Sequence, residues 1–193
     1  MSTPKYKLIY FNCQWIAEPI RYLLSYVKED FEDVRLDWEE WIKPEGKIDK
    51  SPYPYEKLPI LEDAENGLRL GQKFLNCTIS WEKIQFEVEL VVEAGEKKNL
   101  ELKKEIQTNL LEKTIPRYFS VIESVLKKNG GKYLVGNAIT WIDFLCAHMP
   151  ETFTFCVEKD VLANYPTMKA YQQQIYQIPE IKAWITKRPV NAY

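Results

Sequence analysis

Lys57-Leu58-Pro59-Ile60-Leu61-Glu62-Asp63 sets a proline inside an apolar, strand-like run. Proline cannot donate to a sheet ladder, so Pro59 belongs at the start of a strand or at an edge. A cis bond between Leu58 and Pro59 would turn the chain sharply there. It would hold backbone groups out of the ladder, where an extended peptide ligand can pair with them. Ala64-Glu65-Asn66-Gly67 follows and carries Asn-Gly, the strongest short hairpin signal. Leu68-Arg69-Leu70 then reads as a short second strand. Residues 57–71 therefore read as a hairpin with a proline corner. Alone, this is an ordinary edge hairpin, and its neighbours in the chain decide what it belongs to.

Upstream, Tyr6 to Tyr10 reads as a strand, with Leu8 and Tyr10 on one face and Lys7 and Ile9 on the other. Ile20, Leu23, Leu24 and Val27 fall at helical spacing, so Glu18 to Val27 reads as a helix with Pro19 in its first turn. Phe31 to Leu36 alternates as a second strand, which completes a right-handed β-α-β unit. Trp38 to Pro54 reads as an irregular loop with room for a short helix, and Gln72 to about Lys83 as another helix. The fold class expected is thus an α+β N-terminal thioredoxin-like domain over about 1–79, followed by an all-α helical domain over about 84–193. In the second part, Ile84, Val88, Val91 and Val92 mark an amphipathic helix that Gly95 should weaken or end. Leu102, Ile106, Leu110, Phe119, Ile122 and Val125 mark a long helix kinked or broken near Pro116 and stopped by Asn129-Gly130-Gly131. Thr140-Trp141-Ile142-Asp143 is a capping-box variant, with Ile139 and Phe144 placed as a hydrophobic staple. Two further helices, 165–177 and 179–187, each open on a proline.

Composition narrows the function classes. The chain has 193 residues, 46% hydrophobic and 28% charged, and a formal net charge of −2. Nothing in that balance favours nucleic acid or an anionic membrane surface. No apolar run approaches the ~20 residues of a transmembrane helix. The opening Met1-Ser-Thr-Pro-Lys-Tyr-Lys has no apolar segment of the kind a secretory signal needs. The four cysteines, Cys13, Cys77, Cys146 and Cys156, show no metal-ligand spacing and read as free thiols of a reducing, cytoplasmic compartment. A single histidine, His148, leaves no basis for a His-based metal site or triad, so no metal is expected.

Five blocks, in order, carry a family resemblance: Tyr6-Lys-Leu-Ile-Tyr-Phe-Asn12, Ala17-Glu-Pro-Ile-Arg-Tyr-Leu-Leu24, Lys57-Leu-Pro-Ile-Leu61, Gly136-Asn-Ala-Ile-Thr-Trp-Ile-Asp-Phe144 and Ile178-Pro-Glu-Ile-Lys-Ala-Trp-Ile185. With them the chain resembles the cytosolic glutathione transferases over nearly its whole length. It is most similar to the sigma class, which includes the haematopoietic prostaglandin D synthases and the insect and mollusc enzymes. The resemblance implies glutathione as co-substrate, a small hydrophobic electrophile as second substrate and a homodimer. It implies detoxification or prostaglandin-type isomerisation as the role.

It also implies a set of site residues. Tyr10 occupies the family's catalytic tyrosine position. A thiolate, not a thiol, is the nucleophile, and free thiols ionise near pH ~8.5. A hydroxyl donating to the sulfur favours the charged form and lowers that pKa. Trp41, with Trp38 as the alternative match, resembles the tryptophan that lines the glutathione cleft. Lys43 or Lys47 corresponds to the lysine on the glycyl carboxylate, and Lys57 also aligns with a family lysine. Leu58, beside Pro59, matches the backbone position that pairs with the cysteinyl residue of glutathione. Gln72-Lys73 stands where the family has Gln-Ser on the γ-glutamyl carboxylate. Lys73 thus replaces a hydroxyl by a cation at the positive end of a helix, unfavourable by roughly 0.3–1 kcal/mol. Glu56 replaces a glycine, and Ile16 stands where some sigma members carry an arginine. The family's acidic residue in the fourth helix corresponds to Glu96 or is lost at Lys97. Phe11, Cys13 and Ile16 are expected to line the electrophile pocket. Cys13 is also a candidate nucleophile of a thiol transferase, while a non-catalytic relative with a weakened glutathione site is the third reading. Glu18 and Arg21 read as a helix-face ion pair. His148 reads as a packed helix histidine or a residue bordering the pocket, and the Lys/Glu-rich run 93–105 as a solvated face.

Overall fold

The computed structural model describes residues 4–42, 49–51, 57–71 and 81–189, without the side chains of 42, 81–86 and 96. The chain divides into two compact units, Met1–Cys77 with Ala183–Tyr193, and Thr78–Lys182.

The first unit is built on a four-stranded sheet in the order β2-β1-β3-β4, from β1 (Tyr6–Phe11), β2 (Phe31–Leu36), β3 (Ile60–Asp63) and β4 (Leu68–Gly71). β1 pairs parallel with β2 and antiparallel with β3, and β3 pairs antiparallel with β4. A parallel pair needs a crossover, and α1 (Glu18–Tyr26) supplies it, opening with Pro19 in its first turn. The short helix α2 (Trp38–Ile42) follows β2, its first turn capped by Asp37, whose carboxylate accepts from the Glu39 and Glu40 N–H groups at 2.7 and 3.2 Å. Leu8, Ile9, Tyr10 and Ile60 are buried, so the central strands form the core of this unit.

The hairpin between β3 and β4 departs from the expected Asn-Gly turn. The connection is four residues, Ala64 to Gly67, and of these only Gly67 is left-handed, at φ 63°. A two-residue type I′ turn needs a positive φ at both central positions. Asn66 is recruited differently: Asp63 accepts from the N–H of Glu65 and Asn66 at 3.0 and 3.1 Å and from the Asn66 amide at 2.7 Å. The carboxylate thus closes the turn and favours the longer loop.

The second unit is helical. Its elements are α3 (Trp81–Glu96), α4 (Leu100–Asn109), α5 (Ile115–Lys128), α6 (Trp141–Val157), α7 (Pro166–Tyr176) and the opening of α8 (Pro179–Lys187). Of the helix expected from Gln72 to about Lys83, residues 72–80 lie outside the described residues and 81–83 belong to α3. α3 runs through Gly95, and the left-handed residue beyond its end is Lys98, at φ 53°. The break expected near Pro116 is a π turn over Leu110–Thr114 that joins α4 to α5. Pro116 has no N–H to give the carbonyl four residues back. The wider turn absorbs the misfit, with the Ile115 N–H reaching back to the Leu110 carbonyl. The Thr114 hydroxyl donates to the buried Glu87 carboxylate at 2.8 Å, which seats that turn against α3. Gly131 N–H closes the end of α5 on the Leu126 carbonyl at 2.6 Å, with Gly130 and Gly131 both left-handed.

The capping box opens α6. Asp143 is fully buried and accepts from the Thr140 N–H at 2.7 Å, the Thr140 hydroxyl at 2.8 Å, the Leu134 N–H at 2.9 Å and the Tyr171 hydroxyl at 2.8 Å. Burial, followed by the Asp143 charge, holds the Tyr171 phenol above the ordinary tyrosine range, so it remains a donor. Tyr171→Phe is expected to cost about 1.5–3 kcal/mol, the range for a hydrogen bond to a charged group. Urea unfolding of the variant checks this, and a loss under about 0.5 kcal/mol would show that Asp143 is satisfied without the phenol. Phe119 sits at the centre of this unit, edge-on to Phe153 at 5.6 Å and to Tyr165 at 5.4 Å.

Candidate functional site

Tyr10 and Pro59 are brought together by register. β1 and β3 pair from Tyr6↔Asp63 to Ile9↔Ile60, and there the ladder stops. One more step would set Pro59 opposite Tyr10, and proline has no N–H to extend the pairing. The Leu58–Pro59 bond is cis, and Leu58 and Pro59 are both buried, while Lys57 is exposed. The tyrosine on the central strand therefore lies one step beyond the end of the β1–β3 ladder, beside the proline corner. Tyr10 itself is 2% exposed and lies opposite Arg35 of β2.

The aromatic residues beside it form a cluster. The Phe11 ring is 5.2 Å from that of Tyr10 and meets Trp38 edge-on at 4.7 Å and Trp41 at 6.0 Å. Trp41 is buried in α2 with the Lys50 ammonium 5.0 Å over its ring, whereas Trp38 is exposed. Of the two matches for the cleft tryptophan, Trp41 is thus packed inward and Trp38 faces solvent. Ile16 is buried, and Phe11 and Cys13 are half-buried. Lys43, Lys47, Glu56, Gln72, Lys73 and Cys77 lie outside the described residues, as does the Glu96 side chain. Lys97 pairs with Glu93.

Burial pushes the Cys13 thiol up to about 12, against the opposing pull of the Arg21 and Arg35 charges. At neutral pH it is a thiol, which does not attack electrophiles. The peptide carrying Cys13 is expected to take up iodoacetamide at pH 7.5 many times more slowly in the native protein than after denaturation. Labelling at equal rates, read by mass spectrometry, would contradict this. Cys146 and Cys156 are pushed up to about 12 by burial in the same way. His148 is buried in α6, its Nε2 3.4 Å from the Thr152 hydroxyl. Among the described residues no group of three or more His, Cys, Asp or Glu is arranged to hold a metal ion, and no helix is long and apolar enough to cross a membrane.

Glu18 and Arg21 do pair, at 3.0 Å, but their side chains are fully buried rather than on a solvated helix face. Arg21 Nη1 also donates to the Cys13 carbonyl at 2.9 Å, and Nε to Asp33 at 3.1 Å. Asp33 in turn accepts from Arg35 Nε at 2.9 Å. Glu18 Oε1 accepts from the Trp184 indole N–H at 2.8 Å and from Arg188 at 2.9 Å. The partners Trp184 and Arg188 gave no sign of this role in the sequence. The only hint was a Glu-x-x-Arg spacing on a helix whose other positions are largely apolar.

A family model for the glutathione S-transferase C-terminal domain matches residues 89–188. Glutathione S-transferase S1 of Drosophila melanogaster is 31% identical over 96% of this chain and 80% of its own length. Human haematopoietic prostaglandin D synthase is 31% identical over 96% of this chain and 98% of its own. Among solved structures, prostaglandin synthase D of Nilaparvata lugens superposes with a TM-score of 0.71 at 30% identity, covering 97% of this chain and all of that one. A mixed thioredoxin-like sheet followed by a helical half is the architecture of this family, and the chain belongs to the glutathione S-transferases.

Proposed function

We propose that the chain is a sigma-like glutathione transferase of the cytoplasm, working as a homodimer. It activates the thiol of glutathione for conjugation to small hydrophobic electrophiles, or for their isomerisation or reduction. The observation that carries this reading is Tyr10 at the point where Pro59 ends the β1–β3 ladder. The backbone at Leu58 takes the cysteinyl residue of glutathione as an added strand would. The tyrosine hydroxyl donates to the sulfur and favours the thiolate. The thiol proton leaves to water, and the thiolate forms a carbon–sulfur bond to the electrophile as the carbon–leaving-group bond breaks, with halide expelled from an aryl halide. Trp41 walls the peptide site, Lys47 and Lys57 meet its carboxylates, and Phe11, Cys13 and Ile16 face the electrophile. The sheet domain, about 1–79, holds glutathione, and the helical domain, about 84–193, contributes to holding the electrophile.

Retention on immobilised glutathione, with conjugation of a chromogenic aryl halide, tests the reading. Failure of both, in folded protein, favours the non-catalytic relative. Gln72-Lys73 in place of Gln-Ser is what supports that second reading. Lys73→Ser restores the hydroxyl and removes a cation, and is expected to tighten glutathione binding several-fold by calorimetry. Weaker or unchanged binding would mark Lys73 as a productive ligand for the γ-glutamyl carboxylate.

A further inference from the structure

Three observations converge on the loop that follows Tyr10. Its carbonyls at Cys13 and Gln14 are held by Arg21 Nη1, at 2.9 and 3.4 Å, so a buried guanidinium on α1 carries the loop. Next in the chain is Trp15, a non-glycine residue at φ 32°. Such a backbone persists only when its surroundings over-determine it. Finally, the guanidinium is itself held from the far end of the sequence. Glu18 Oε2 accepts from Arg21, while its Oε1 accepts from Trp184 and Arg188. Arg188 Nη1 also donates to the Tyr22 hydroxyl at 2.9 Å.

We propose that Glu18 and Arg188 are positioning residues for thiol activation: the C-terminal segment, through Glu18 and Arg21, sets the loop that follows the strand bearing Tyr10, and with it the aim of the Tyr10 hydroxyl at its bound sulfur. The inference rests on the assignment of Tyr10 above. A hydrogen bond to sulfur is effective only at short range and good alignment, so a small displacement of the strand end weakens the preference for thiolate. The carboxylate of Glu18 is shared between two cations and an indole. Without Arg188 the carboxylate keeps Arg21 and loses its second cation, and it relaxes toward Arg21. The guanidinium then shifts off the loop carbonyls. Binding of the peptide, which uses the Leu58 edge and residues of other segments, is little affected.

The test uses the full chain carrying Arg188→Gln, Arg188→Lys or Trp184→Phe, with Lys169→Gln, which breaks only the exposed Lys169–Asp160 pair, as control. Readouts are kcat and KM for glutathione and the ultraviolet difference absorbance of the bound thiolate. Arg188→Gln is expected to lower kcat about tenfold, within the range that small misplacements cost. KM should stay within about twofold, the split expected when transition-state geometry rather than binding is lost. The thiolate absorbance at neutral pH should fall, and Arg188→Lys should restore most of it. Trp184→Phe removes one donor and keeps the ring, so it should move the absorbance the same way by less, and it decides the matter if Arg188→Gln does not fold. Wild-type kcat and absorbance in Arg188→Gln or Trp184→Phe, whatever happens to thermal stability, would reduce the network to a structural brace and overturn the inference. Tyr10→Phe separates the two failures. A large loss there with no effect at Arg188 and Trp184 refutes only the positioning role, whereas no loss there refutes the assignment of Tyr10 and the inference with it.

Discussion

Tyr10→Phe lowers kcat/KM for conjugation of an aryl halide about a hundredfold, with the KM for glutathione nearly unchanged. The magnitude follows from what the hydroxyl does. Removal of one preorganised donor from a developing or resident anion costs about 10²–10³ in rate. The substitution deletes a single oxygen from a buried ring and leaves the strand pairing of β1 in place. The loss therefore belongs to the chemistry, and circular dichroism matching the parent verifies that the fold is retained. Steady-state rates across glutathione concentrations are the measurement. A variant within about twofold of the parent would mean that the thiol is ionised by some other group.

Arg21→Ala unfolds the sheet unit at far lower temperature. Arg21 is fully buried and bonded to Glu18, Asp33 and two loop carbonyls. Removal of one partner from a buried ion pair typically costs 3–5 kcal/mol, because the remaining carboxylate stays in low dielectric without compensation. Here two carboxylates are affected, although Arg188 still faces Glu18 and Arg35 still faces Asp33. Those survivors argue for the lower part of the range, about 3 kcal/mol, or a drop in melting temperature of roughly 6–12 °C for a chain of this size. A fall of less than about 2 °C in calorimetry would show that water replaces the guanidinium at little cost. An exposed pair such as Lys169–Asp160 supplies the contrast: its loss should be within about 1 kcal/mol.

The elements that local physics governs were legible from residue order. Pro59 had to open a strand because it has no N–H, and β3 begins at Ile60. The spacing of Ile20, Leu23 and Leu24 predicted α1, and Thr140 with Asp143 predicted where α6 starts. The pair Gly130-Gly131 announced the end of α5 through the left-handed conformation only glycine adopts freely. Tyr10 was marked only through the family resemblance of its block, Tyr6 to Asn12. Where sequence reasoning slipped, a short-range competitor decided. Asp63 captured the hairpin turn, whereas the break read near Pro116 is present as a π turn.

By itself, then, the sequence determined the order and type of the elements and the proline that ends the ladder, since each depends on backbone sterics or on periodicity within a few residues. Only the tertiary structure decided the environment of the charges. Whether Glu18 and Arg21 meet water or each other in a dry interior depends on Trp184 and Arg188, at sequence separations of 166 and 170 residues from Glu18. The same holds for Cys13, whose thiol is pushed up by burial. Desolvation is a property of the packed surroundings, and no local spacing of residues reports it.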